Sequence, residues 1–205
     1  DRMGHLIATS QNPTVGILAH PGQVDVRIAV KAANQQKAHE LIKPIEAEIR
    51  NLLGNHIFAT DEETMESTVG KLIRDANMTL SSYEDLTFGL LAERLEQSIP
   101  QHFIEGIVGN GTLTINRLLH QSRDPHRSKE FLKLPQELTD ELALAVREQS
   151  GADLAVALHA IADPTDNSEN LSRGESFITV TDGSSFYRRS YKAAGKGRPD
   201  RIRMS

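Results

Sequence analysis

The sequence predicts an α/β protein in two parts: a small α+β module, then an α/β domain with a mostly parallel sheet covered by helices. Residues 14–60 combine strand patterns with one long helical pattern, whereas strand and helix patterns alternate along the second part. The length of 205 residues also suits two domains. We therefore predict a module over residues 1–75 and a domain over residues 76–205.

The first module is predicted to be a hairpin covered by a helix. Residues 14–19 form an apolar run, residues 24–30 alternate apolar with polar side chains, and the His20-Pro21-Gly22 segment between them favours a turn. Over residues 35–53, apolar side chains recur at three- and four-residue spacing, which predicts a helix that Gly54 ends. These elements would bury one face of the hairpin beneath the helix.

Two further features complete this module. Pro44 falls inside the helical pattern and is expected to kink or divide the helix, because proline removes one backbone hydrogen bond. Residues 57–60 are a candidate third strand, and residues 61–64 are expected to open another helix. This order is compatible with a KH-like fold, but residues 14–75 contain no Gly-x-x-Gly loop to clamp a nucleic-acid backbone. The Gly-x-x-Gly spacing at residues 106–109 is expected to be a turn.

The second part is predicted to alternate strands and helices. The strand candidates are residues 79–82, 103–108, 152–158, 176–181 and 185–191, and the helix candidates lie around residues 90–95, 113–119 and 136–149. Asp182-Gly183 separates the last two strands and is typical of a tight turn, so those strands are expected to pair antiparallel.

Composition excludes several kinds of site. The chain has no cysteine, which rules out disulfides, thiolate zinc sites, iron–sulfur clusters and a cysteine nucleophile. With 23 basic against 28 acidic residues, the whole chain is poorly suited to nucleic acid, and we expect neither a nucleic-acid partner nor a cofactor. No apolar run approaches the roughly 18–20 residues that span a bilayer, which predicts a soluble, cytoplasmic protein with no membrane partner. Because the sequence begins with Asp1, we expect a piece of a longer protein.

Several segments resemble the competence/damage-inducible CinA family in order and spacing: QNPTVGILAHPGQVDVRIAV, FATDEETMESTVGKLI, TLSSYEDLTFGLLAERL, and GADLAVALHAIADP followed by RGESFITV. Proteins of that family have an N-terminal molybdopterin-binding-like domain, a KH-like module and a C-terminal nicotinamide-nucleotide amidohydrolase domain. The resemblance implies that this chain comprises the last two and that the full protein carries the first domain upstream. It also implies a homo-oligomer and a nucleotide ligand similar to NMN.

At the family's catalytic motif this sequence departs from the pattern. Active members carry Glu-Ser-Cys-Thr-Gly-Gly, with the serine as nucleophile, whereas this chain has Glu84-Asp85-Leu86-Thr87-Phe88-Gly89. Asp85 takes the nucleophile position, where a carboxylate cannot replace the attacking hydroxyl and would repel an anionic nucleotide. We expect Asp85 to be an N-cap instead. Phe88 takes a glycine position that admits phosphate, while Thr87 and Gly89 match the family.

Two other family segments are also altered. The family tyrosine and lysine that assist the nucleophile correspond to Asn110 and Ile115, and an apolar side chain can neither take up a proton nor stabilise an anion. The family segment Thr-Gly-Ile-Ala-Gly-Pro corresponds to residues 159–164, in which His159 and Asp163 replace a threonine and a glycine. The resemblance therefore implies catalytic positions at Asp85, Thr87, Asn110 and Ile115, substrate-binding positions at Thr87, Gly89, His159 and Asp163, and no metal.

Three functions are compatible with these residues. The first is a degraded amidohydrolase-like domain with a structural, regulatory or interaction role. The second is retained conversion of NMN to nicotinate mononucleotide and ammonia by a displaced hydroxyl of Ser81, Ser82 or Thr87. The third is a metal-dependent hydrolase with a rebuilt site of Glu84, Asp85, His159 and Asp163. We favour the first function because it accounts for all three altered segments.

Overall fold

The computed structural model describes residues 2–9, 11–20, 23–85, 87–109, 112–121, 135–160 and 175–192. The chain divides into two compact units, Asp1–Glu63 and Thr64–Ser205. This division differs from the boundary placed after residue 75, because the helix Met65–Asp75 packs against the helix Leu90–Ser98 of the second unit. No helix in the described part of the chain is long and apolar enough to cross a membrane.

The first unit is a two-stranded antiparallel sheet packed with helices. Its elements are α1 (Gly4–Thr9), β1 (Thr14–His20), β2 (Gln23–Ala29), α2 (Gln35–Leu53) and a single 3₁₀ turn (Gly54–His56). Met3 and Leu6 bury their side chains against Val15 of β1 and Ile49 of α2. Helix α1 was not predicted from the sequence, because six residues are too few to show a helical period.

Helix α2 has the bounds that the sequence predicts. Asn34 accepts a hydrogen bond from the Lys37 backbone N–H at 2.8 Å and caps its N-terminus, and Gly54 ends it at a φ of +53°. Pro44 lies inside the helix, which it does not divide. Ile45 and Ile49 follow the proline and pack into the same core, so tertiary contacts offset the hydrogen bond that proline removes.

The predicted third strand at residues 57–60 is wrong. The described residues of the first unit contain a two-stranded sheet, and residues 57–60 belong to neither strand. The Glu63 carboxylate accepts hydrogen bonds from the Thr60 backbone N–H at 3.1 Å and from its hydroxyl at 3.3 Å. This local hydrogen bonding occupies the backbone that a strand ladder would require.

The second unit confirms the predicted α/β class, although its sheet is mixed rather than mostly parallel. Its elements are α3 (Met65–Asp75), β3 (Leu80–Glu84), α4 (Leu90–Ser98), β4 (Phe103–Val108), α5 (Thr112–Gln121), α6 (Pro135–Ser150), β5 (Leu154–Ala160), β6 (Glu175–Thr181) and β7 (Phe186–Lys192). The strand order is β4-β3-β5-β6-β7. Pairing is parallel from β4 through β3 to β5 and antiparallel from β5 through β6 to β7.

Both faces of this sheet carry helices. Helix α6 lies on one face, where Leu142 and Val146 are fully buried against the small residues Ala155 and Ala157 of β5. On the other face a separate cluster joins Ile73 of α3 to strand β3. Helix α6 contacts every strand of the sheet and covers this face of it.

The Gly-x-x-Gly spacing at residues 106–109 is not a turn. Gly106 lies within β4, where a Cβ atom would come within 2.7 Å of the Ala92 Cβ on α4. The strand tolerates glycine here because helix α4 approaches it closely. Strand β4 lies at the edge of the sheet, so it is less buried than its apolar sequence predicts. Its residues Ile104 and Val108 are exposed.

Strands β6 and β7 form the predicted antiparallel hairpin. The turn between them contains Asp182, a carboxyl whose pKa is lowered. The Asp182 carboxylate accepts hydrogen bonds from the backbone N–H groups of Ser185 at 2.7 Å and Ser184 at 2.8 Å, and from the Ser184 hydroxyl at 2.9 Å. These hydrogen bonds lower the pKa of Asp182 to about 2, and the bond from the Ser185 backbone has the largest effect on it.

A carboxyl whose pKa is lowered in the folded state stabilises the protein above its unfolded pKa of 3.8 and loses that effect as pH falls toward about 2. We therefore expect an NMR titration of the Asp182 carboxyl to have a midpoint near 2 and Ser184→Ala to raise it. A midpoint at 3.8 in the intact chain would contradict the hydrogen-bonded turn.

Candidate functional site

Three of the residues that the sequence singled out, Glu84, Asp85 and His159, lie where two parallel strands end. Strands β3 and β5 are paired in parallel, so Glu84 and Asp85 at the end of β3 lie beside His159 near the end of β5. The next helix along the chain, α4, begins directly after the turn that follows Asp85. The carboxyl edge of parallel strands is the usual place for ligand sites in such sheets.

Glu84 caps helix α4 from the preceding strand. Its carboxylate is fully buried and accepts hydrogen bonds from the backbone N–H groups of Leu91 at 3.1 Å and Ala92 at 2.8 Å, and a short one from the Thr87 hydroxyl. These N–H groups lie in the first turn of α4, where the helix dipole favours negative charge. A protein carboxylate therefore occupies the position at which the start of a helix would bind an anion.

The turn between Glu84 and α4 has a backbone suited to glycine. Phe88 has a φ of +54° and Gly89 a φ of +100°, both in the left-handed region. A side chain is disfavoured there by roughly 1–2 kcal/mol. Phe88 nevertheless has this conformation, and the residue is 47% exposed.

Asp85 does not cap helix α4, contrary to the prediction, because Gly89 is the N-cap residue. Its carboxylate turns toward β5 instead. One oxygen, Oδ2, lies 2.5 Å from His159 Nδ1 and 3.4 Å from the Tyr83 hydroxyl, and Oδ1 accepts the Ala160 backbone N–H at 3.0 Å. The side chains of Asp85 and His159 are each 12% exposed. Asp85 therefore ties the end of β3 to the end of β5.

Tyr83 also belongs to this site, although its sequence position did not predict it as a site residue. Its side chain is fully buried, and burial, together with the negative charge and hydrogen bond of Asp85, raises the pKa of Tyr83 above its ordinary value of 10.0. A Cβ atom at Gly109 would lie 2.4 Å from the Tyr83 hydroxyl, so the tyrosine fills the space beside that glycine. The one signal available in the sequence was an aromatic residue directly before the altered motif.

Three other residues that were candidates for the site are buried in the interior of the second unit. Ile115 is buried in the core cluster that contains Tyr83 and Leu142, so its side chain packs in the core. Ser81 and Ser82 are fully buried, and their hydroxyls have no hydrogen-bond partner among the described residues. Neither serine is accessible to a substrate.

Two predicted site residues, Asn110 and Asp163, lie outside the described residues, as does Leu86. Within the described ranges, no group of three or more His, Asp or Glu side chains is arranged to hold a metal ion. Glu84 and Asp85 also point away from each other, because successive residues of a strand face opposite sides of the sheet.

Fold and site together define a two-unit α/β protein in which carboxylates occupy the turn from the first parallel strand of the larger unit into the helix that follows it. Residues 1–59 match the family described as "Damage-inducible protein CinA KH domain", and residues 62–205 match the family described as "CinA C-terminal domain". The chain belongs to the CinA family.

Relatives and solved structures agree with this assignment. A putative competence-damage inducible protein of Clostridium tetani is 35% identical over 80% of this chain, and one of Moorella thermoacetica is 32% identical over 83%. The chain spans 40% and 41% of the lengths of these two relatives. A CinA superfamily protein from Escherichia coli has the same fold, with a TM-score of 0.59 at 16% identity over 74% of this chain and 91% of that chain.

Proposed function

We propose that the second unit is an amidohydrolase-like domain that has lost amide hydrolysis and serves a structural, regulatory or interaction role. The observation that carries this proposal is the position of Asp85. Its carboxylate stands where the family motif has the nucleophilic serine, and both of its oxygens are engaged by His159 and Ala160. A carboxylate held in this way supplies no hydroxyl to attack a carboxamide carbon.

Two further contacts support the loss of chemistry. Ile115 is 6% exposed within the core, so the position of the assisting lysine offers neither a proton acceptor nor a positive charge. Glu84 occupies the N-terminus of α4 with a negative charge, which opposes a phosphate or a developing oxyanion at those N–H groups.

A second candidate, retained NMN amidohydrolase activity, rests on one contact. Thr87 donates its hydroxyl hydrogen to the Glu84 carboxylate, which is the pairing of a hydroxyl with a base that a nucleophile requires. Glu84 also accepts two backbone hydrogen bonds from helix α4, so its oxygens are already engaged in capping that helix. The metal-dependent alternative has no comparable contact among the described residues.

An assay of ammonia release separates the first two candidates. We expect the purified chain and its Thr87→Ala variant to release no more ammonia from NMN than a protein-free blank, with an active bacterial NMN amidohydrolase as positive control. Turnover by the unmodified chain that disappears in Thr87→Ala would overturn the proposal and favour Thr87 as nucleophile.

Binding without turnover distinguishes a regulatory from a structural role. A ligand at about 100 times its Kd stabilises the folded state by about 2.7 kcal/mol, which a thermal-shift measurement detects. A shift with NMN but no ammonia release would favour nucleotide sensing, and no shift would favour a structural or interaction role. The same proposal includes a cytoplasmic location, homo-oligomer formation and support of an upstream molybdopterin-binding-like domain in the longer protein.

A further inference from the structure

The edge strand β7 presents different chemistry on its two faces. Side chains alternate along a strand, so Arg188 faces helix α6, where it donates to the Asp140 carboxylate at 2.8 Å. Tyr187, Arg189 and Tyr191 therefore share the opposite face. Of the described helices, α6 is the one with substantial contacts to β7, and it lies on the face of Arg188.

The three side chains on this face are exposed. Tyr187 is 76% exposed, Tyr191 is 47% exposed, and the exposed Arg189 donates a hydrogen bond to the carbonyl of the adjacent Arg188. Across the strand pair, their partners on β6 are the uncharged residues Val180, Ile178 and Ser176. This face of the β6–β7 hairpin thus carries two aromatic rings and one positive charge with no acidic side chain between them.

Charge along the chain is segregated toward the same strand. Residues 186–205 contain seven Lys or Arg residues and one Asp, whereas residues 1–185 contain 16 basic and 27 acidic residues. The net charge of -5 therefore combines an acidic part, residues 1–185, with a basic part, residues 186–205, that begins with strand β7. The expectation of no nucleic-acid partner was drawn from the whole-chain balance, which does not show this asymmetry.

We propose that Tyr187, Arg189 and Tyr191 form a binding platform for single-stranded nucleic acid. Alternate residues of a strand are about 6.7 Å apart, so the platform offers a row of two aromatic rings and one guanidinium on which successive bases can stack. Stacking of this kind tolerates any base, because every base has a π face.

The platform is independent of the fate of the amidohydrolase-like site. Strand β7 is separated from β3 by β5 and β6. Among the described residues, the hydrogen-bond partners of Glu84 and Asp85 do not include Tyr187, Arg189 or Tyr191. Failure of one proposal therefore leaves the other to stand on its own measurements.

The test uses the full chain and a fluorescein-labelled oligothymidylate of about 12 nucleotides, a length within the site sizes of comparable single-strand binders. We expect anisotropy to report binding at low salt, and Tyr187→Val and Tyr191→Val each to weaken it about tenfold. Valine keeps the β propensity of the strand while removing the ring. Arg189→Ala should reduce the slope of log affinity against log salt by about 0.7.

Matched surface variants serve as controls. Arg27→Ala removes a 68%-exposed arginine from the first unit and Leu113→Ala removes an 85%-exposed apolar side chain from α5, and neither should change affinity. Circular dichroism should show every variant folded. The proposal is overturned by absence of binding at low salt, by tyrosine variants that bind as tightly as the unmodified chain, or by stronger binding to phosphatidylserine vesicles than to the oligonucleotide.

Discussion

Replacing Glu84 with alanine is expected to lower the free energy of unfolding by about 3 kcal/mol or more. The carboxylate is fully buried and accepts hydrogen bonds from Leu91, Ala92 and Thr87. Hydrogen bonds to a charged group contribute roughly 1.5–3 kcal/mol each, and donors left without a partner carry an additional desolvation cost. Alanine would also leave a cavity between β3 and α4.

Urea denaturation followed by circular dichroism measures this effect. Glu84→Gln keeps the volume but offers one acceptor oxygen in place of two, so we expect an intermediate loss of about 1–2 kcal/mol. Glu93→Ala removes an exposed glutamate from the same helix and should change stability by no more than about 0.5 kcal/mol. An equal effect of Glu84→Ala and Glu93→Ala would refute the capping role.

Asp85→Ala is expected to have the second largest effect, a loss of about 2–3 kcal/mol. The 2.5 Å contact with His159 and the 3.0 Å hydrogen bond from Ala160 are both lost, and the two donors are left largely shielded from water. The loss falls on the junction between β3 and β5, so amide exchange should accelerate at Ala160 and Leu158.

A double-mutant cycle isolates the contact from the other effects of truncation. We expect Asp85→Ala and His159→Ala to have a coupling free energy of about 1–3 kcal/mol, whereas Asp85→Ala and Tyr83→Phe should couple more weakly because the Tyr83 hydroxyl lies 3.4 Å away. Additive effects of the first pair would show that the carboxylate and imidazole do not interact in solution.

Patterns of residue type predicted most of the fold, and each failure has a local cause. The bounds of α2 and β4 follow from apolar spacing together with their flanking turn residues. The strand predicted at residues 57–60 failed because a side chain, Glu63, took the hydrogen bonds of Thr60. The antiparallel pairing of β5 with β6 was not predicted because the periodicity of a strand does not specify its direction.

The contacts of the candidate site residues could not be predicted from the sequence. Asp85 was expected to cap a helix, yet it binds a residue 74 positions away, and it is Glu84 that caps α4 from a buried strand. Strand register decides which residues meet across β3 and β5, and no local pattern specifies it. Tyr83 was not predicted as a site residue because its position depends on packing against Gly109, which no local pattern specifies either.

The backbone at Phe88 is one that glycine adopts without a steric penalty. Phe88 has a φ of +54°, in the left-handed region that side chains disfavour. A glycine at this position would therefore fit the backbone as it stands, so the residue can be changed there by altering the side chain alone.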